Sequence, residues 1–269
     1  MPAPAPPPVT DRARGGAPPG GDGEAGDGEA GAAEPGGVDK SGPRVRAMFA
    51  SIAGRYDLMN RVMTGGQDIL WRRRVAKGDV GAGPVLDLCC GTGDIAFELA
   101  RRHPGVRVVG ADFTHEMLTV ARRKSAGRAG AGVPFVDGDA TALPFGDDTF
   151  TCVTVGFGLR NVADLSAGLR EIARVLKPGG ELRVLETSSV RNPAVAGLFR
   201  LYFRRVVPAV GRVLAANDHD AYTYLPESAA AFPDGEALCE LMRVAGFAEC
   251  AFRPLAFGAT TFYTARTPA

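Results

Sequence analysis

The chain predicts an α/β fold, a mostly parallel sheet with helices on both faces. Three observations carry this. The apolar run Val85-Leu86-Asp87-Leu88 ends in a small-residue turn, Cys90-Gly91-Thr92-Gly93, and a helix-like pattern follows at once to Ala100. A strand entering a helix through glycines opens a nucleotide-cofactor site, because small side chains let a ligand reach the backbone and glycine permits the dihedrals of the turn. From residue 84 onward, strand-like and helix-like segments alternate, as in a parallel sheet covered by helices. Finally, Lys177-Pro178-Gly179-Gly180 stops a helix and turns into the next strand.

Residues 1–43 hold eleven Gly and nine Pro, almost no large apolar side chain, and a net charge of about −4. Such a segment cannot bury enough surface to offset its ordering entropy, so a disordered tail is expected, with the folded domain spanning 44–269. It lacks the apolar centre of a secretion signal and is too acidic and arginine-poor for a transit peptide. Residues 44–79 read as helical from Met48, Phe49, Ile52 and Met59, with Trp71 and Arg72-Arg73-Arg74 in a mixed segment. Strands are expected at 84–88, 106–111, 133–137, 151–157 and 181–187, and helices at 93–102, 115–127 and 164–176. Residues 193–215 are apolar with Arg200, Arg204, Arg205 and Arg212 interleaved, and Pro208 breaks them in two. A helix at 235–245 and an antiparallel pair of strands near 249–257 and 260–265 close the domain.

Apolar residues make up 45% of the chain, ample for a core, and the net charge of +1 marks neither nucleic acid nor membrane as a partner. No run of 18 apolar residues exists, so a cytoplasmic location is the default expectation. The five cysteines (89, 90, 152, 239 and 250) show no even framework and are expected as small, buried, reduced thiols. With three His and no clustered Cys/His spacing, no metal site is expected.

Ligands of open parallel sheets bind past the carboxyl ends of the strands. Three loops there carry candidate residues: Asp87 to Asp94, Ala111-Asp112-Phe113, and Gly138 to Phe145. Asp112, 25 residues beyond Asp87, is placed to accept hydrogen bonds from two ribose hydroxyls. Asp139, followed by the small Ala140, suits the edge of an adenine ring. The plain alternatives are a turn-forming role for Asp139 and a structural one for the glycines.

The segments DLCCGTGD, ADFTHEML, GDATALPFGDDTF and RVLKPGGELRVLE resemble the successive motifs of class I S-adenosylmethionine-dependent methyltransferases. FASIAGRYDLMNRVMTGGQDILWRR, VTVGFGLRNVADLSAGLREIARVLKPGG and ANDHDAYTYLPESAAAFPD are similar to the ubiquinone/menaquinone biosynthesis C-methyltransferase family, the UbiE/MenG type. The resemblance covers the chain from residue 44 to about 250. It implies a seven-stranded, Rossmann-like sheet with an antiparallel C-terminal strand, and methyl transfer from S-adenosyl-L-methionine to a ring carbon of a prenylated quinol. Demethylmenaquinol is the first expectation and 2-methoxy-6-polyprenyl-1,4-benzoquinol the second. By motif match, Thr92, Asp112, Asp139 and Ala140 bind the cofactor together with Gly91 and Gly93, and Gly156 stands where relatives often have serine. Cys90 stands where many relatives have glycine.

A quinol carbon attacks a sulfonium methyl group only when its ring hydroxyl is at least partly ionised, so the site must favour phenolate and hold the partners in line. Arg160 and Asn161, in GLRN past the fourth strand, are the candidates for stabilising and orienting the quinol oxygen, and Tyr56 for contacting the ring. Arg160 cannot serve as a free base, because guanidinium stays protonated. His219, between two aspartates, reads as a solvated loop residue. Residues 44–80 are expected as a helical lid and 193–232 as a substrate-covering insertion, in which 193–215 reads either as a cover whose arginines meet the inner membrane surface or as two amphipathic helices packed on the sheet. A homodimer stays open. The rival readings are a methyltransferase for another small aromatic acceptor, a cofactor-binding module without catalysis, and an NAD dehydrogenase, for which Ala96 stands in place of the third glycine of the fingerprint.

Overall fold

The computed structural model describes residues 40–126, 132–190 and 227–269, together with Pro193, Ala196, Gly197, Arg205 and Tyr224. The expected tail up to residue 39 and nearly all of the apolar, arginine-bearing segment 193–215 lie outside the described residues.

Seven strands form one sheet: β1 (Val85–Leu88), β2 (Val108–Asp112), β3 (Phe135–Asp137), β4 (Phe150–Gly156), β5 (Leu176–Thr187), β6 (Glu249–Leu255) and β7 (Thr260–Arg266). Their spatial order is β3-β2-β1-β4-β5-β7-β6. β7 runs antiparallel to both β5 and β6, and the other pairings are parallel. The chain builds outward from β1 in one direction and from β4 in the other, so the strand order reverses between β1 and β4. There the loops diverge and leave a crevice. Leu88 lies beside Ala111 on one side and Val155 on the other, which sets the ends of three strands level at that crevice.

β1 and β2 are buried along their whole length, as expected for strands covered on both faces. The described helices are α1 (Gly42–Ile52), α2 (Tyr56–Thr64), α3 (Gln67–Val75), α4 (Asp94–Arg102), α5 (His115–Ala126), α6 (Leu165–Val175) and α7 (Glu236–Val244). Sequence spacing explains the faces they bury. α6 turns Leu169, Ile172 and Val175 into the core, and Asp164 caps its start by accepting from the Ala167 N–H at 2.9 Å. α4 begins at Gly93, which has no capping side chain. The cap comes instead from β1, where Asp87 accepts from the Ala96 N–H at 3.0 Å.

The N-terminal helices pack on the domain through both apolar and polar contacts. Ile52, Ala53 and Met59 bury against Met117 of α5. Arg183 of β5 is nearly buried and donates to the carbonyls of Val75 (3.2 Å), Lys77 (2.9 Å) and Asp79. A guanidinium thus satisfies carbonyls that the end of α3 leaves without helical partners.

Four expectations change. The fold begins earlier than Arg44: α1 starts at Gly42 with Pro43 in its first turn, where the missing N–H costs nothing. Trp71 to Arg74 belong to α3 rather than to a mixed segment. β5 starts at Leu176, directly after α6, so Pro178-Gly179-Gly180 lie within the strand, and Leu176 pairs with Phe150 across a register shift. Cys239 and Cys250 are not free thiols. They form a disulfide, because α7 folds back onto β6 and brings their Cα atoms to 5.6 Å. Cys89, Cys90 and Cys152 are free, as expected.

Candidate active site

A cleft of about 760 Å³, open to solvent, lies at the ends of β1, β2 and β4. Its rim is made by the three expected loops. From the first come Cys89 and Gly91, from the second Asp112, Phe113 and Thr114, and from the third Gly138, Asp139 and Ala140. α1 and α2 add Val45, Phe49 and Tyr56, and the turn after β4 adds Gly156, Phe157 and Asn161.

Asp112 is the most constrained of the expected cofactor residues. One carboxylate oxygen accepts from the Gly91 N–H at 2.8 Å and the other from the Thr114 N–H at 2.8 Å. Gly91 can present its N–H because it holds φ +54°, a conformation that glycine adopts freely. Burial pushes the Asp112 carboxyl up, against the pull of these two N–H bonds. Asp112 lines the cleft, and an acidic group at this strand end is suited to a ribose diol. Asp139 is exposed and accepts from both the Thr141 N–H and hydroxyl at 2.8 Å, so the turn-forming reading and the rim position hold together. Ala140 is buried and lines the cleft. At Gly156 an added Cβ would sit 2.5 Å from Ile95 Cδ1, the movable end of that side chain.

Thr92 and Gly93 are not among the residues lining the cleft. Gly93 holds φ +85°, and a Cβ there would meet the Phe135 ring at 2.9 Å, so it serves the packing of the turn. The Thr92 hydroxyl donates to Asp57 at 2.5 Å and accepts from Lys124 at 3.2 Å. It is the edge of an ion network that sequence reading missed. Asp94 is held by Arg61 of α2 (2.9 Å), Arg72 of α3 (2.5 Å) and Lys124 of α5 (2.5 Å). Lys124 also reaches Asp57 at 2.8 Å, and Asp68 pairs with Arg61 and Arg72. Burial acts to raise the Asp94 carboxyl, but Lys124 and then Arg72 outweigh it and hold it near 2. The network ties the N-terminal helices to the glycine turn.

The backbone at the cleft is strained. Cys89 and Phe157 both adopt positive φ, 53° and 59°, at the ends of β1 and β4. Burial pushes the Cys89 thiol well above its ordinary value. A raised thiol disfavours the thiolate, the nucleophilic form.

The expected acceptor-side residues divide. Tyr56 and Asn161 line the cleft. Asn161 donates to the Phe157 carbonyl at 3.3 Å and accepts from the Tyr224 hydroxyl at 3.2 Å. Tyr224, in the YTYLPES segment, is buried, and only the tertiary fold brings it to Asn161. Arg160 does not line the cleft. Its guanidinium donates to the fully buried Glu186 at 2.5 Å and to the Phe157 carbonyl at 2.9 Å. Glu186 also accepts from the Thr187 N–H at 2.8 Å. The pair neutralises itself and fixes the turn that carries Phe157 and Asn161.

The profile of the ubiE/COQ5 methyltransferase family matches residues 38–266. The chain belongs to this family. It is 48% identical over 219 residues to a demethylmenaquinone methyltransferase of Deinococcus radiodurans, covering 81% of this chain and 90% of the relative. It is 47% identical over 223 residues to a ubiquinone/menaquinone biosynthesis C-methyltransferase UbiE of Desulfotalea psychrophila, covering 82% of this chain and 89% of that one. Among solved structures, a SAM-dependent methyltransferase of Thermotoga maritima shares the fold, with a TM-score of 0.59 at 21% identity over 82% of this chain and 99% of that one.

The enzyme is thus an S-adenosylmethionine-dependent methyltransferase of this family, and its cleft fits that cofactor. The Asp112 carboxylate suits a ribose diol, Gly91 and Gly156 add no side chain to the lining, and no group of His, Cys, Asp or Glu suited to a metal occurs among the described residues. No helix among the described residues is long and apolar enough to cross a membrane.

Proposed function

We propose that this enzyme methylates a ring carbon of a prenylated quinol, with demethylmenaquinol as substrate and menaquinol as product. The 48% identity to a demethylmenaquinone methyltransferase over most of both chains carries this reading. When bound, S-adenosylmethionine supplies an activated methyl group. This chain's residues bind, orient and exclude water. Asp112 holds the ribose, Asp139 and Ala140 the adenine edge, Gly91 and Gly93 shape the turn beneath it, Gly156 keeps the space open, and Thr92 steadies the turn through Asp57. The apolar side chains of Val45, Phe49, Phe113, Met117 and Phe157 shelter the quinol ring. Tyr56 contacts that ring and Asn161 orients its oxygen, the latter held by Tyr224. Arg160 acts through Glu186 as a positioning residue.

In this proposal, α1 to α3 form the lid; the insertion expected at 193–232 lies mostly outside the described residues. A substrate with a polyprenyl tail partitions into lipid, so the enzyme works at the inner membrane face. Incubation with S-adenosylmethionine and either demethylmenaquinol or the methoxy-polyprenyl-benzoquinol, with products read by mass spectrometry, tests the reading. Methylation of the naphthoquinol is expected. Turnover of the benzoquinol alone, or of neither, overturns it.

A further inference from the structure

The cation that sequence reading assigned to the acceptor side of the cleft is engaged elsewhere. Arg160 is consumed by Glu186 and does not reach the lining. One cationic side chain does line the cleft among the described residues, that of Lys40. It precedes α1 at the point where the sequence reads as tail. Ser41 intervenes before the helix begins at Gly42, itself a lining residue, where an added Cβ would sit 3.2 Å from the Phe113 ring. A positive charge at a helix N-terminus is electrostatically unfavourable, and Lys40 is half-buried there as well. Both disfavour the ammonium, so an anionic partner delivered by a ligand would relieve them.

We propose that Lys40 is a catalytic residue of the acceptor site, its ammonium facing the ring oxygen of the bound phenolic substrate and stabilising it as phenolate. This rests on the quinol reading above. The phenol O–H releases its proton to solvent water, the oxygen keeps the bonding pair, and the resulting anion pairs with the ammonium, which keeps all three of its protons. An ion pair formed at a half-buried lysine in a partly enclosed cleft is worth more than in bulk solvent. The electron-rich ring carbon then gains nucleophilicity from the ionised oxygen. Burial lowers the Lys40 ammonium from its ordinary value, Glu186 raises it and Arg160 lowers it. The remaining titratable groups along the cleft are Tyr56, Cys89, Asp112 and Asp139.

The test uses the full-length enzyme with S-adenosylhomocysteine and 1-naphthol, whose ionisation is read by absorbance and needs no turnover. In the wild type the bound naphthol is expected to ionise at least ten-fold more readily than in solution. Lys40→Met should abolish that shift, lower kcat with the quinol at least ten-fold, and leave cofactor affinity and thermal unfolding unchanged. Lys40→Arg should restore most of the shift. A Lys40→Met enzyme with wild-type naphthol ionisation and wild-type kcat overturns the proposal. Failure of the wild type to methylate any quinol would defeat the functional reading, while a Lys40-dependent naphthol shift would still hold.

Discussion

Asp87 and Asp94 stand at the two ends of one glycine turn, and the protein treats them oppositely. Asp87 is fully enclosed, accepts from Thr154 at 2.8 Å and from the Ala96 N–H, and feels Arg72 too weakly to offset its burial. Burial raises its carboxyl to about 7. Asp94 is also largely buried, but three cations from three helices surround it and hold it near 2. The difference teaches that burial alone does not set a carboxyl's charge. Asp87 serves the fold by capping α4. Asp94 fastens the N-terminal helices to the cofactor turn, so it couples the lid to the site.

The comparison is most directly broken at Asp94. Asp94→Asn leaves Arg61, Arg72 and Lys124 crowded without their carboxylate and is expected to cost about 3–5 kcal/mol in denaturant unfolding. A loss below about 0.5 kcal/mol would mean that the network does not bind the lid. Its folded carboxyl lies below the unfolded one, so its contribution is full above about pH 4 and disappears as pH falls through about 2.

A third carboxylate sharpens the contrast, because Asp112 faces the cleft rather than the interior. Asp112→Ala should weaken S-adenosylmethionine binding about 10²-fold by calorimetry, from the loss of charge-assisted hydrogen bonds to a diol. Binding within a few-fold of wild type would remove Asp112 from the site.

Asp87 supplies the opposite sign. Its folded carboxyl lies above the unfolded one, so the folded state holds the proton more tightly. Its effect on stability is absent below about pH 4 and is a full cost above about pH 7. Asp87→Asn should therefore match the wild type at pH 4 and exceed it by about 1–3 kcal/mol at pH 8. Unfolding curves whose difference is independent of pH would refute the assignment. The smallest effect is expected at Gly156. Gly156→Ala would press a methyl group against the movable Cδ1 of Ile95, costing under about 1 kcal/mol in stability, with a several-fold loss of cofactor affinity on titration.

Legibility followed locality. The strand–turn–helix at 85–100 could be read because its signals are adjacent: an apolar run, glycines at positive φ, then a helical repeat. Asp112 could be read because it ends the neighbouring strand, and parallel strands set their ends level. The Asp94 network joins residues from four helices, and no local pattern marks Arg61, Arg72 and Lys124 as neighbours. The Cys239–Cys250 bond escaped for the same reason. Lys40 was lost to composition, since eleven glycines and nine prolines hid a residue that belongs to the cleft.

By itself the sequence determined the α/β alternation, the family and the three cofactor loops, because periodicity, glycine dihedrals and motif spacing are properties of short stretches. Only the tertiary structure decided which charges meet. It turned Arg160 inward to Glu186 and brought Tyr224 to Asn161. It closed three cations on Asp94 and left Lys40 facing the cleft. A charge's partner depends on distance through space, which the order of residues along a chain does not record.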